Sequence, residues 1–166
     1  MKKLLFFLTI TSLLLFIRCG DDDSETPQAG VNGTLTFGGQ SYTIASGILV
    51  KKLTSVGADY EFFLGDGSIS ATGSGGVSSG DSQILVAARA IAEGSTTLEA
   101  GTYEVSRQVN SQYAFVSVTA AGSSSVQSIV GGTIEISGSE NTYSLTFNAF
   151  GGGIALTGSV NGTFEE

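Results

Sequence analysis

Hydrophobic and polar residues alternate along most of this chain with a period of two, as they do in half-buried β-strands. Between residues 142 and 148, Tyr143, Leu145 and Phe147 share one face and polar side chains occupy the other. The same alternation occupies residues 132–137 and returns after residue 153, and residues 138–141 have the composition of a turn. The last third of the chain is therefore predicted to form a three-stranded meander. Its apolar face is expected to share one core with four further residues: Ile134, Ile136, Ile154 and Leu156.

The preceding part of the chain repeats this pattern less regularly. Short apolar runs separated by glycine-rich turns bring the total to about nine or ten strands. Residues 87–93 have the best helix composition, so a helix there is the main alternative. We predict one all-β domain over residues 31–166, folded as an antiparallel barrel, with a β-sandwich as the alternative. The phrase Val-Asn-Gly-Thr occurs at residues 31–34 and 160–163, which allows the first and last strands to be neighbours.

The composition narrows the possible chemistry. The chain has 166 residues, with 24 glycines, one cysteine and no histidine. The absence of histidine excludes a Ser-His-Asp triad, a Cys-His pair and histidine-ligated metal sites, and a single cysteine excludes an intramolecular disulfide. Because the domain is small and its strands are short, we expect the barrel interior to be filled by side chains. Ligands would then bind at the rims, in the loops at residues 73–80 and 122–125.

The first eighteen residues have the composition of a signal peptide. Lys2 and Lys3 precede a mostly apolar run over residues 4–17. At roughly 1.5 Å per residue, a helix of this length falls well short of the ~30 Å hydrocarbon core of a bilayer. Residues 1–18 are therefore predicted to be a cleaved signal peptide and not a permanent membrane span.

Cys19 stands at the end of this segment, and Asp21, Asp22 and Asp23 follow it closely. Residues 15–19 resemble the lipobox of bacterial lipoproteins, in which the cysteine is diacylated and becomes the first mature residue; a small residue usually precedes it, and here Arg18 does. The acidic run resembles the export signal of surface lipoproteins in the Bacteroidota. The resemblance implies a lipid anchor on Cys19, a tether over residues 19–30, and a place on the outer membrane, exposed at the cell surface.

The body of the chain carries a broader resemblance. Residues 33–44, residues 98–103 and the final meander are together similar to small, uncharacterised surface lipoproteins of Bacteroidota, and the expected barrel is lipocalin-like or calycin-like. The likeness contains no catalytic motif, and we predict no cofactor. The three adjacent aspartates lack the spaced carboxylates of a calcium loop, so no metal is predicted either.

The charge balance restricts the possible partners. Removing residues 1–18 takes away three of the 7 basic residues and none of the 15 acidic ones, which leaves a mature chain with a net charge of 4 − 15 = −11. Such a surface repels phosphate backbones and anionic lipid, so nucleic acid is not expected as a partner. Attachment to the membrane would depend on the acyl chains of Cys19.

Paired carboxylates are the acid–base groups that remain once histidine is absent. Asp59 and Glu61 share one face of a predicted strand, with Cβ atoms roughly 7 Å apart, which would suit a glycosidase pair. We favour the simpler interpretation that both face solvent while Tyr60 and Phe62 face the core. The same alternation places two other acidic residues on outward faces: Glu104 and Glu135.

Arg89 interrupts the apolar run over residues 84–91. On an interior face it would be a buried cation that requires a carboxylate and could anchor an acidic ligand. We favour the alternative, in which Arg89 faces solvent and the core receives four other side chains: Ile84, Val86, Ala88 and Ala90. The glycine-rich residues 73–80 lack the lysine and the strand-to-helix context of a phosphate loop, and are predicted to be a plain loop.

Two classes of function agree with these observations. The first is a non-enzymatic, outer-membrane-anchored surface lipoprotein that binds a protein or glycan ligand or serves as an interaction module. The second is a hydrolase that acts on glycans through carboxylates. The acidic residues of the body are scattered over outward faces, which favours the first class.

Overall fold

The computed structural model describes residues 30–55, 57–73, 76–106, 112–121 and 125–166. All secondary-structure elements within these ranges are β-strands, which confirms the all-β prediction. Residues 87–93, where a helix was the alternative, belong to a strand. No helix suited to crossing a membrane occurs in the described residues. The strands are β1 (Gly30–Phe37), β2 (Gln40–Ile44), β3 (Ser46–Thr54), β4 (Gly57–Gly65), β5 (Ser70–Ala71), β6 (Val77–Ser78), β7 (Ile84–Glu93), β8 (Gly101–Val105), β9 (Gln112–Ala120), β10 (Gln127–Ile129), β11 (Gly131–Ser139), β12 (Thr142–Gly151) and β13 (Ile154–Thr163).

The long strands form one sheet that curls into a barrel. Their order around the sheet is β2-β1-β13-β12-β11-β8-β9-β7-β4-β3. The sheet closes where the residues after β13 run beside β3, through a parallel bridge between Ile48 and Glu165. There the Leu49 N–H donates to the Glu165 carbonyl at 2.7 Å, and the Glu165 N–H donates to the Gly47 carbonyl at 3.1 Å. We call this contact the seam. The barrel prediction is confirmed in preference to the sandwich.

The predicted meander is present. β11, β12 and β13 pair antiparallel in chain order. The two Val-Asn-Gly-Thr segments lie on neighbouring strands, with Asn32 of β1 opposite Asn161 of β13. The first and last strands are therefore neighbours, an arrangement that the repeated phrase allowed.

The prediction of an entirely antiparallel sheet is wrong, because β8 and β9 run parallel and the bridge at the seam is also parallel. Parallel neighbours usually need a crossover connection of about a dozen residues or more. Here residues 106–111 are enough, because the two strands overlap only at Glu104 with Tyr113 and at Val105 with Ala114. β9 then continues past the end of β8.

β10 occupies the place beside β9 that β8 leaves empty. β8 pairs with residues 113–114 of β9, whereas β10 pairs antiparallel with residues 116–118. The two short strands thus lie end to end along one side of β9. At the kink after β10, the Val130 N–H donates to the Phe150 carbonyl at 3.0 Å, where the chain moves across to β11 and its partner β12. This arrangement leaves a break in the sheet between Ser106 and Ile129.

Side chains from all around the barrel fill its interior. Tyr143, Leu145 and Phe147 are 4%, 0% and 2% exposed, as the alternation predicted. Phe62 packs edge to face against Tyr143, with ring centroids 5.3 Å apart, and against Phe164, with centroids 5.2 Å apart. The other predicted partners of this core are also in place: Ile134, Ile136 and Leu156 are buried, and Ile154 is partly buried against them.

Two glycines on the inward face of β13 allow β1 to approach it closely. Gly158 has φ +125° and Gly162 has φ +145°, conformations that residues with a side chain rarely adopt. A Cβ atom on Gly158 would lie 2.1 Å from the Thr34 carbonyl oxygen, and one on Gly162 would lie 2.1 Å from the Gly30 carbonyl oxygen. A residue with a side chain at either position would collide with the backbone of β1.

Candidate binding groove on the outer face

The larger hollows of the described residues open to solvent on the outside of the barrel. Three of them have volumes of about 400, 390 and 360 Å³. Most of their lining residues lie on outward faces or in loops, and three are buried core residues: Val116, Ile129 and Ile136. The grooves themselves are open, in agreement with the expectation of a filled interior. Ligand pockets have volumes of roughly 300–1,000 Å³, so these grooves fall at the small end of that range.

The largest of these grooves lies at the break between β8 and β10. Its walls come from the ends of these strands and from β4, β7 and β9. A small groove forms at this break because neither short strand covers β9 along its full length. We call it the outer groove; its polar and aromatic lining residues include Glu61, Arg89, Ser106, Phe115, Ser117 and Ser128.

Arg89 faces outward, as the favoured interpretation of the sequence predicted. Four alternate residues of β7 point into the core instead: Ile84, Val86, Ala88 and Ala90. The Arg89 side chain is 45% exposed, yet it forms a two-pronged ion pair with Asp59. Its Nε donates to Oδ1 at 2.8 Å and to Oδ2 at 3.0 Å, and its Nη2 donates to Oδ2 at 2.5 Å. These bonds to Asp59 raise the pKa of Arg89 above its ordinary value, so the guanidinium stays charged.

Asp59 is buried on the outside of the barrel, contrary to the prediction that it faces solvent. Its side chain is only 6% exposed. Tyr60 and Phe62 do face the core, so the assignment of faces was right. Ile91 and Tyr113, which lie abreast of Asp59 on the next two strands, are also buried but do not belong to the central core. Asp59 is thus part of a small outer cluster, and Arg89 covers its carboxylate.

Three residues of the outer groove lie side by side on three neighbouring strands. Arg89 of β7 is opposite Glu61 of β4 on one side and opposite Phe115 of β9 on the other. Phe115 is 38% exposed, and its ring meets that of Tyr113 edge to face, with centroids 5.4 Å apart. A carboxylate, a guanidinium and a phenyl ring therefore follow one another across about 10 Å, the width of two strand spacings.

Hydroxyl groups complete the outer groove. Ser117 is half-buried on β9, and Ser128 is exposed on β10 directly opposite it. A serine hydroxyl can both donate and accept a hydrogen bond. The groove therefore offers donors from Arg89, acceptors from Glu61, and groups of both kinds from the two serines, beside an exposed aromatic ring.

The arrangement does not favour the paired-carboxylate chemistry considered from the sequence. Asp59 and Glu61 do share the outward face of β4, but Asp59 is occupied by Arg89 and has little contact with solvent. The other two acidic residues singled out, Glu104 and Glu135, are exposed on outward faces, as predicted. The carboxyl groups of Asp81 and Glu166 have their pKa lowered, first by hydrogen bonds to Ser68 and Lys51 respectively, whereas a general acid needs a raised one.

The loop at residues 73–80 contains more order than was predicted from its composition. Val77 and Ser78 form β6, which pairs with β5. Asp81 accepts hydrogen bonds from the Ser68 N–H at 2.7 Å and the Ser68 hydroxyl at 2.6 Å, which ties the base of this hairpin together. Residues 74–75 and 122–124, parts of the two rims expected to bind ligands, lie outside the described residues.

The residues predicted to direct the protein to the membrane also lie outside the described residues. These are Cys19, Asp21, Asp22 and Asp23. Within the described part of the chain, no group of three or more His, Cys, Asp or Glu side chains is arranged to hold a metal ion.

Several residues of the outer groove could not be singled out from the sequence. The sequence contains one indication for Phe115: it is a large apolar residue that shares the outward-facing positions of β9 with Ser117 and Thr119. The sequence contains none for Ser117 and Ser128, since serine is common throughout the chain. Their proximity depends on the pairing of β9 with β10.

Comparison with other proteins gives no relative from which a role could be transferred. No protein-family model, curated protein or solved structure matches this chain.

Proposed function

We propose that this chain is a non-enzymatic surface lipoprotein, anchored in the outer membrane through Cys19, whose barrel binds a ligand in the outer groove. The observation that carries the binding role is the position of Arg89, which the buried Asp59 fixes by two-pronged hydrogen bonds at the wall of the groove. Fixing a long, flexible side chain in advance lowers the entropic cost of binding. The filled interior supports binding on the outside of the barrel rather than within it.

The proposed anchor rests on the sequence before the barrel. Cys19 is the single cysteine of the chain, and it follows an apolar run of signal-peptide length. The acidic tether predicted over residues 19–30 would then connect the lipid to the barrel. The acyl chains would supply the membrane affinity, since each buried CH₂ group contributes about 0.8 kcal/mol.

Replacement of Cys19 tests the anchor. Cys19→Ala should abolish incorporation of a labelled fatty acid and remove the chain from the detergent phase in a partitioning experiment. Ser24→Ala, a substitution of similar size in the same segment, should change neither property. Labelling that persists in the Cys19→Ala chain would contradict the anchor.

Replacement of the acidic run tests the orientation. Changing Asp21, Asp22 and Asp23 together to Ala should leave the fatty acid in place but protect the chain from a protease applied to whole cells. If the protease still removes the chain from intact cells, the acidic run is only a spacer.

A further inference from the structure

We infer that the outer groove binds an uncharged saccharide, with one sugar ring resting on Phe115 and its hydroxyl groups hydrogen-bonded to Arg89 and Glu61. This inference rests on the proposed binding function and specifies its ligand. It follows from the charge, the hydrogen-bonding groups and the size of the outer groove.

The charges of the outer groove disfavour ionic ligands. Arg89 supplies one positive charge, whereas Asp59 and Glu61 supply two negative ones, and the whole chain has a net charge of −8. An anionic ligand would therefore meet a site with a net negative charge. A cationic ligand would have to displace Arg89 from its pair or lie beside its guanidinium. A neutral ligand avoids both costs.

The hydrogen-bonding groups of the outer groove suit a ligand rich in hydroxyl groups. A guanidinium has five N–H groups, and the pair with Asp59 engages Nε and one N–H of Nη2. The two N–H groups of Nη1 and the second one of Nη2 lie outside this pair on a side chain that is 45% exposed. Glu61, directly opposite, offers acceptors only. Adjacent hydroxyls of a sugar both donate and accept, so they can satisfy the two side chains together.

The aromatic ring of the groove suits the apolar face of a sugar. Phe115 is partly exposed, and its ring packs edge to face against that of Tyr113. A pyranose carries C–H groups on one face and hydroxyls around its rim, so it can cover the phenyl ring while its hydroxyls reach Arg89 on the neighbouring strand. A purely apolar ligand would instead cover Arg89 and Glu61 and leave them without partners, which costs free energy.

The volume of the outer groove sets the size of the bound unit. About 400 Å³ accommodates one or two sugar rings, and the groove is open, so a longer chain can extend from it into solvent. Open grooves with few hydrogen bonds bind weakly, and we expect a Kd of about 10 µM to 1 mM for a short oligosaccharide.

Binding to a defined panel of sugars tests the inference. The full chain, purified in a detergent without a sugar headgroup, is titrated calorimetrically with neutral glucan, mannan, galactan and xylan oligosaccharides and with uronic-acid oligosaccharides. At least one neutral oligosaccharide should bind, and the uronic-acid forms should bind at least about tenfold more weakly than it does.

Matched variants locate the site. Phe115→Ala should weaken binding at least about tenfold, Phe115→Tyr should restore it, and Glu61→Gln should weaken it by a similar factor. Phe150→Ala is the control, because Phe150 is an exposed phenylalanine that does not line the outer groove, and it should change affinity less than about twofold. Thermal unfolding of each variant verifies that it is folded.

Three results would overturn the inference: no neutral oligosaccharide binds up to about 10 mM, the uronic-acid forms bind more tightly, or folded Phe115→Ala binds as well as the original chain. Any of them, in a chain that is still lipidated and surface-exposed, leaves the proposed anchoring intact. If the chain binds sugar but is not lipidated, the proposed anchor is wrong and the inference about the saccharide stands.

Discussion

Asp59 and Arg89 are unequal partners at the scale of single residues. The carboxylate is buried, whereas nearly half of the guanidinium side chain is in contact with solvent. An unpaired buried charge costs far more than an unpaired exposed one, so the two halves of the pair should differ in how much their removal destabilises the barrel.

We therefore predict that Arg89→Met lowers the free energy of unfolding by about 3 kcal/mol, because it leaves a carboxylate buried without a partner. Asp59→Asn should cost only about 1 kcal/mol, because Arg89 can turn its charge towards water. Urea denaturation measures both values. Equal losses would mean that Asp59 is not desolvated as its burial indicates.

Tyr143 gives the barrel a dependence on alkaline pH. Burial in the aromatic cluster raises the pKa of its phenol from 10.0 to about 12, because the charged phenolate is desolvated there. The folded state thus binds the phenolic proton more tightly than the unfolded state does. Stability from this group is complete below pH 10 and is lost as the pH rises towards 12.

The free energy of unfolding should accordingly fall between about pH 10 and pH 12, by up to about 2–3 kcal/mol from Tyr143. Tyr143→Phe, which has no phenol to ionise, should show a smaller fall over the same interval. Denaturant titrations at several pH values measure both curves. Parallel curves for the two chains would show that other groups cause the alkaline transition.

The face on which each of these residues lies could be predicted, but their contacts could not. Alternation placed Asp59 and Glu61 on one side of a strand and Tyr60 on the other, because side chains of successive residues point to opposite faces. The pair with Arg89 is different, since 30 residues separate its members. Their meeting depends on the register between β4 and β7, which a local pattern does not contain.

At the scale of elements, β12 is the strand whose alternation is most regular. Tyr143, Leu145 and Phe147 face the core, and Thr142, Thr146 and Asn148 are exposed. Phe147 is 2% exposed, so its truncation removes contacts that solvent does not replace.

Phe147→Ala should therefore lower the free energy of unfolding by about 3–5 kcal/mol, which is typical of a buried aromatic ring. Thr146→Ala, on the adjacent outward position, should stay within about 0.5 kcal/mol of the original chain. Equilibrium denaturation of the two variants measures the difference. A comparable effect at both positions would contradict the assignment of faces.

The strands themselves could be predicted from alternation, yet the break that forms the outer groove could not. β8 and β10 are short, and each has a pattern compatible with pairing in either direction. Their end-to-end placement beside β9, and the parallel run of β8, are decided by which neighbours complete the sheet and not by any local preference. The groove arises from topology, so its residues come from strands far apart in the chain.

At the scale of the whole molecule, the seam is the contact between neighbouring segments of the barrel that has the fewest paired residues. Neighbouring long strands of the sheet share ladders of many residue pairs, whereas β3 and the end of the chain share one bridge and the two backbone hydrogen bonds of Glu165. Lys51 of β3 also contacts residues on the other side of the seam, through an exposed ion pair with Glu166 at 2.5 Å and a hydrogen bond to Asn141 at 2.6 Å.

Deleting residues 165–166 should open the seam and lower the thermal midpoint, since each backbone hydrogen bond of Glu165 contributes about 1 kcal/mol net. Glu166→Gln removes only the exposed ion pair and should leave the midpoint nearly unchanged. Calorimetric melting of the two variants compares them. An unchanged midpoint after the deletion would show that the barrel does not depend on closure at this point.

The pairing of β1 with β13 also brings the start of the first strand beside the end of the last one, with Gly30 directly opposite Thr163. Ends that lie side by side can be joined by a short peptide without disturbing the strands between them. The domain is therefore suited to circular permutation, with the chain cut after Ser106, which lines the outer groove. Such a permutant would carry its attachment point next to the groove instead of on β1, while the residues that close the seam became an internal segment of the chain.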